Sequence, residues 1–167
     1  FDTRFRVMVD RAKAMQAIWT QDVATYSGEF TQFESIWSWP KPAQKPHPPI
    51  WFGARSEPGL RRAVRFGDAW MGAGSSSTGD FVRGAAQIRR YLEEADRDPA
   101  GFCVSKRIYI GVDNDRDRAE GRLREWFAKR YGNADMASRD AIWGGTAECL
   151  DKVAEVVGAG AQHLLLN

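Results

Sequence analysis

A chain of 167 residues that is 43% hydrophobic, with seven Trp and nine Phe, carries enough apolar mass for one packed domain or a large piece of one, which excludes a disordered chain. Its 24 basic and 22 acidic residues nearly cancel, and arginines such as Arg61, Arg62, Arg89, Arg90, Arg122 and Arg124 are scattered along helical segments, so no nucleic-acid footprint is read. Cys103 and Cys149 stand far apart without a Cys/His cluster, and no apolar run approaches the roughly 18 to 20 residues of a membrane span, so a reduced, cytoplasmic protein with no metal site and no membrane contact is expected.

In chain order, Asp2 or Thr3 can cap a helix whose Phe5, Met8, Ala12, Met15 and Trp19 recur at three- and four-residue spacing and define an inward face. Val23–Tyr26 and Phe30–Phe33 read as a hairpin about Ser27-Gly28. Ile36, Trp37 and Trp39 then form either a satellite core or a pocket wall, and a proline-rich connector runs from Pro40 to Pro49.

Ile50-Trp51-Phe52 is a short apolar, β-prone run, the pattern of a strand buried on both faces. It leads into Gly53-Ala54-Arg55-Ser56. Gly53 and Ala54 keep bulk away from the backbone, Ser56 can cap the next helix, and Pro58 is tolerated in its first turn. The stretch reads either as a plain strand-to-helix connection or as a cradle in which an anion meets the amides that open a helix. The helix that follows turns Leu60, Ala63, Val64 and Phe66 inward and ends at Gly67.

A second strand, Ala69-Trp70-Met71, leaves through a hydroxyl-rich loop, Gly72 to Gly79, which lacks the lysine ending of a nucleotide-binding P-loop. Thr78 can cap a helix with Phe81, Ala85, Ile88 and Leu92 on one face, closed by Asp98-Pro99. The third strand runs from Cys103 to Val112. Asp113, Asp115 and Asp117 mimic the start of a calcium loop, but Arg118 and Arg124 occupy its glycine and glutamate positions, so the acids are read as complementing the N-terminus of a helix over Arg118–Tyr131. After an irregular Gly132–Gly145, Thr146 caps a helix with Leu150, Val153 and Val157 inward, and His163 to Asn167 form the last strand.

Strands alternating with crossover helices give an α/β protein with a parallel sheet. A doubly wound sheet and a barrel both fit, and four strands suit half of a (β/α)8 TIM barrel of about 250 residues. Both ends read as cut.

The series Asp10 in Val9-Asp10-Arg11-Ala12, Ile18-Trp19-Thr20, Tyr26-Ser27-Gly28-Glu29-Phe30, Pro40-Lys41-Pro42, Pro48 to Ala54, Arg61-Arg62-Ala63, Gly67 to Trp70, Gly144-Gly145-Thr146 and Ala159-Gly160-Ala161 resembles the luciferase-like monooxygenase family over most of the chain. The resemblance implies a (β/α)8 barrel of which residues 1–167 are the C-terminal half, with a hairpin and Pro-rich insertion at about 22–49. It implies FMN or the deazaflavin coenzyme, hydride transfer or oxygenation of a small organic substrate, and a style closest to the deazaflavin-dependent branch. Ala54 replaces a second glycine usual in the family, and Ala69-Trp70 stands where Gly-Trp or Gly-Phe is usual.

From the resemblance we expect the cofactor phosphate on the amides of Ala54, Arg55 and Ser56, with Gly53 giving clearance. Further groups at the C-terminal strand ends are Met71 to Ser77, Asp113 and Asn167, whereas His47 and His163 fall at the opposite ends. No catalytic residue is assigned, because family members draw those around the reactive ring largely from the first barrel half. A homo-oligomer, or pairing with the missing half, is expected. Two rivals are a non-catalytic flavin-binding or scaffold half barrel and a phosphate-sugar barrel.

Overall fold

The computed structural model describes residues 2–167, which divide into two units, one ending at Ile50 and the other spanning Trp51–Asn167. In the first, helix α1 (Arg4–Thr20) accompanies an antiparallel hairpin of β1 (Val23–Ser27) and β2 (Gln32–Trp37). Strand β2 thus extends past the expected Phe33 and takes in Ile36 and Trp37. It also carries one extra residue opposite Ala24 to Tyr26, a bulge at which Ser35 adopts φ 56°.

The expected inward face of α1 is corrected. Phe5, Met8 and Met15 are exposed, and the buried residues are Asp10, Ala12, Ala14 and Ala17. Asp10 decides which face turns to the hairpin, because its carboxylate accepts from Tyr26 Oη (2.9 Å) and from the amides of Glu29 (3.1 Å) and Phe30 (3.2 Å). A buried carboxylate needs such donors, and the alanines beside it let the backbones approach. Thr3 stands at the cap position but makes no capping bond.

The second unit runs β3 (Trp51–Gly53), α2 (Glu57–Phe66), β4 (Ala69–Gly72), α3 (Thr78–Glu94), β5 (Cys103–Ile108), β6 (Ile110–Val112), α4 (Arg116–Tyr131), α5 (Met136–Asp140), β7 (Ile142–Gly144), α6 (Thr146–Gly158) and β8 (His163–Leu166). One sheet is ordered β3-β4-β5-β8, every pair parallel, and β6-β7 form a separate parallel pair. Helices α2 and α3 form as their spacing dictates, with Leu60, Ala63 and Val64 buried from one and Phe81, Ala85, Ile88 and Leu92 from the other. Each fully buried large side chain among these contributes about 1.5 to 3 kcal/mol. Arg97 donates to the carbonyl oxygens of Val64 and Gly67 (2.9 Å to the latter) and so closes the C-terminus of α2.

Several local expectations are corrected. Cys103–Val112 is two strands, because Tyr109 leaves the ladder to pack its ring on Trp126 (centroids 4.6 Å) and Phe127 (5.0 Å). The Gly132–Gly145 stretch holds α5 and β7, and β7 pairs with β6 in the register Ile110↔Ile142 and Val112↔Gly144. Helix α3 is capped by Ser77 and not Thr78, in a reciprocal box with Asp80. Gly145, not Thr146, stands at the cap of α6. That helix buries Cys149 and Val156 and leaves Leu150 and Val157 exposed, since two apolar stripes share Val153 and only one meets the sheet. Asp98 caps a short 3-10 turn, Pro99–Gly101, after α3 has ended.

Successive strand residues point to opposite faces. Phe52, Trp70, Val104, Lys106 and Ile108 lie on the face covered by helices, where Trp70 stacks on Phe81 of α3 at 5.4 Å. Trp51, Met71, Ser105, Arg107, His163 and Leu165 share the other face through the parallel register. There the rings of Trp51 on β3 and His163 on β8 meet edge to face at 5.1 Å. These strands are three ladder spacings apart, about 14 Å if the sheet were flat. The sheet is therefore rolled toward that face.

Candidate functional site

Two loops meet at the C-terminal ends of β3 and β4, and each is held by identifiable groups. The β3–α2 turn is Ala54-Arg55-Ser56. A Cβ built on Gly53 would meet no atom within 4 Å, so the approach to the turn is open. Ser56 occupies the N-cap of α2 with extended backbone (φ −86°, ψ 152°) but makes no side-chain capping bond, which corrects the expectation that it caps. The first-turn amides of α2 therefore receive no capping oxygen from Ser56, and the half-charge of the helix N-terminus is left to a ligand or to solvent.

The neighbours of the turn favour an anion. Glu57 turns its carboxylate back to Arg61 (3.1 Å, four residues on), away from the turn. Arg55 donates to the hydroxyl of Ser75, which ties the turn to the β4–α3 loop. Trp70 Nε1 donates to the Ala54 carbonyl oxygen at 3.0 Å, and Gly59 leaves room for Ala54, since a Cβ there would stand 2.9 Å from the Ala54 Cβ. Among the described residues the only non-glycine positions with positive φ are Ser35 and Asp96, so alanine at 54 and 69 is unstrained. A cleft of about 310 Å³ beside the turn is lined by Ala54, Arg55, Trp70, Ser76, Asp80 and Arg83.

Beneath the β4–α3 loop lies Lys106, 2% exposed. Its ammonium donates to the carbonyl oxygens of Ala73 (2.6 Å) and Ser76 (2.7 Å) and to Ser76 Oγ (2.9 Å). Burial pushes it down to about 8, against the pull of Asp140, with Arg55 pushing the same way as burial and Asp80 opposing. On the opposite face, Arg107 Nη2 donates to Asn167 Oδ1 at 2.9 Å. The sequence reading passed over both residues because they sit inside an apolar strand. Two adjacent cations in such a strand, necessarily on opposite faces, were the available signal.

Other expected groups lie elsewhere. Asp113 is bound by Arg118 and by Arg122 (3.0 Å), and the Arg118 hydrogen bond, helped by the amide of Asp115, holds its carboxyl down at about 2. Asp115 caps α4 by accepting from the Arg118 amide at 3.0 Å, in line with the helix-terminus reading of these acids. His47 lies with Gln16 (3.2 Å) and the Pro48 carbonyl (2.9 Å), and His163 opens β8 against Trp51. Among the described residues no group of three His, Cys, Asp or Glu is placed to hold a metal ion, and no helix is long and apolar enough to cross a membrane.

A family model described as luciferase-like monooxygenase matches residues 1–163. The FMNH2-dependent dimethylsulfone monooxygenase of Pseudomonas putida is 36% identical over 128 residues, covering 77% of this chain and 34% of that protein. An F420-dependent secondary alcohol dehydrogenase in complex with an F420-acetone adduct superposes with TM-score 0.83 at 19% identity, over 99% of this chain and 56% of its own. Monooxygenase RslO1 from Streptomyces bottropensis superposes with TM-score 0.81 at 19% identity, over 100% and 55%. The chain thus spans about a third of that sequence relative and about half of those structures. With a match over nearly its whole length, the chain belongs to the luciferase-like monooxygenase family.

Proposed function

We propose that the chain is the C-terminal half of a (β/α)8 barrel in a flavin- or deazaflavin-dependent oxidoreductase acting on a small organic substrate, and that it supplies the site for the cofactor phosphate. The observation that carries the phosphate site is the N-terminus of α2: it is uncapped by Ser56, stands at the C-terminal end of β3, and is approached over Gly53, where nothing lies within 4 Å of a Cβ position. The amides of Ala54, Arg55 and Ser56 would hold the phosphate, with the Arg55 guanidinium, already oriented by Ser75, as a side-chain donor. Two or three charge-assisted bonds of about 1.5 to 3 kcal/mol each outweigh the solvent-screened carboxylate of Glu57.

When bound, the cofactor supplies the hydride or oxygen chemistry, and this chain supplies position and electrostatics. Lys106 holds the loop that carries Ser75, so the orientation of Arg55 depends on a buried cation one strand away. The four-stranded parallel sheet, rolled by the Trp51–His163 contact and open along β3 and β8, supports the half-barrel reading. The coverage of about half of each similar structure supports it too.

The test is an absorption titration of the full-length protein with FMN and with the deazaflavin coenzyme, alongside a turnover assay on residues 1–167 alone. We expect binding of one cofactor by the whole protein and no turnover by the fragment. A full-length protein that binds neither would overturn the reading. One that binds without any turnover would favour a non-catalytic flavin-binding subunit.

A further inference from the structure

The geometry points to Arg107 and Asn167, at the C-terminal ends of β5 and β8, as the binding pair for the carboxylate of a small acid whose apolar body lies against Tyr109 and Trp126. This rests on the enzyme reading above and names the class of its substrate. Arg107 is the penultimate residue of β5 and shares a face with Trp51 and His163, so its side chain projects from the inside of the roll toward the end where the loops gather. Gly74 makes room for it there, because a Cβ at that position would stand 3.2 Å from Arg107 Cγ and 2.6 Å from the Tyr109 ring.

The guanidinium is under-used. Nη2 donates to Asn167 Oδ1 at 2.9 Å and the group lies 5.0 Å from the centre of the Tyr109 ring, yet Nε is enclosed and has no hydrogen-bond partner. Among the described residues no carboxylate is paired with Arg107, although Arg6, Arg61, Arg83, Arg90, Arg116 and Arg118 each have one. An enclosed N–H without an acceptor is costly unless a ligand completes it.

Asn167 also lines a mainly apolar cleft of about 370 Å³ with Tyr109, Ile110, Val112, Leu123 and Trp126, a volume suited to a small molecule. Arg122, the cation in that wall, is neutralised by Asp113 at 3.0 Å, whereas Arg107, joined to the wall through Asn167, has no such partner among the described residues. One uncompensated positive charge remains, which matches a monoanion better than a phosphate dianion. The planar fork of arginine fits the two oxygens of a carboxylate.

The experiment is calorimetric titration of the full-length protein with phenylacetate and with phenylacetamide, which has the same body without the charge. We expect the acid to bind at least tenfold more tightly than the amide, R107Q to abolish that preference, and R107K, which keeps the charge without the fork, to retain part of it. Affinity for the cofactor that the wild type binds, FMN or the deazaflavin coenzyme, should be the same in all three proteins. Equal affinities in the wild type, or a preference that persists in R107Q, would overturn the proposal, as would an R107Q protein that loses thermal stability while the wild type binds neither probe, because a protein carboxylate would then be the partner of Arg107. If R107Q does not fold, a full preference in R107K overturns the proposal and a reduced one supports it. A protein that prefers the acid but binds no cofactor would sink the enzyme reading and leave this site standing.

Discussion

The carboxylate of Asp10 fills the space that a side chain at residue 28 would need: a Cβ on Gly28 would lie 1.9 Å from Asp10 Oδ1 and 2.6 Å from the ring of Tyr26. The hairpin turn is shaped around that acid. Gly28→Ala should therefore destabilise the helix–hairpin unit by about 1 to 3 kcal/mol, the usual range for overpacking, and a denaturation midpoint equal to wild type would refute this. Burial by itself would raise the Asp10 carboxyl, but hydrogen bonds from Tyr26 and Thr31 and from the amides of Phe30 and Glu29 hold it below the ordinary carboxylate range. The unfolded chain then binds the proton more readily, so this contribution is present above about pH 4 and is lost as pH falls through the depressed value. Asp10→Asn should flatten the acid limb of stability against pH.

Gly53 separates clearance from charge. With nothing within 4 Å of its Cβ position, Gly53→Ala should leave folding unchanged. Gly53→Asp should place a negative group beside the amides of Ala54 to Ser56 and weaken cofactor affinity tenfold or more in the full-length protein, about 1.4 kcal/mol per decade. Unchanged affinity on titration would move the phosphate to the Ser75–Thr78 loop.

Lys106 gives a pH dependence of the same sign as Asp10, in an alkaline window instead of an acid one. Its ammonium is pushed from the ordinary 10.5 down to about 8 in the folded protein. Between those values the unfolded chain binds more protons than the folded one, so this residue makes stability rise with pH from about 8 to 10.5, by up to ~3 kcal/mol. Lys106→Met should remove the rise, read as the difference between wild-type and variant urea midpoints across that range. The variant should also be less stable at pH 7, because Ala73, Ser76 and the Ser76 hydroxyl lose their donor. Parallel profiles for the two proteins would contradict the assignment.

Among the described residues the outer strands of the rolled sheet, β3 and β8, have unpaired edges, and Leu150, Val157, Leu165 and Leu166 are exposed on α6 and β8. Residues 1–167 expressed alone should self-associate. Sedimentation that shows a monomer with one cooperative unfolding transition would count against this.

What the sequence disclosed follows from how local each signal is. The four parallel strands were legible because each is a short β-prone run that soon follows a glycine or proline, the third being read as one strand with β6, and α2 and α3 because Leu60-Ala63-Val64 and Phe81-Ala85-Ile88-Leu92 keep a helical period. The face of α1 was misread because hydrophobicity favours Phe5, Met8 and Met15, whereas a single acid with three donors across the hairpin sets the rotation. Strands β6 and β7 are three residues each and exist only by pairing with one another across more than twenty residues, so no window of sequence contains the cause. At the candidate site, the turn at Gly53–Ser56 announced itself through small residues ahead of a helix. Lys106 and Arg107 did not, because their roles depend on which face of β5 each occupies and on loops contributed from elsewhere.

The departure of Tyr109 from the ladder makes residues 110–144 a closed detour. The chain leaves the main sheet at Ile110 and comes back at Ile142 as its hydrogen-bonded neighbour, with β6 and β7 clasping the two ends. Insertions or deletions between α4 and α5 are absorbed inside the detour, at a closure cost that grows only logarithmically with length. The registers of β5 and β8 need not change. This wall of the Tyr109 cleft is thus a replaceable cassette on a fixed chassis, one that evolution or an engineer could exchange to alter what is bound while the turn at Gly53–Ser56 stays as it is.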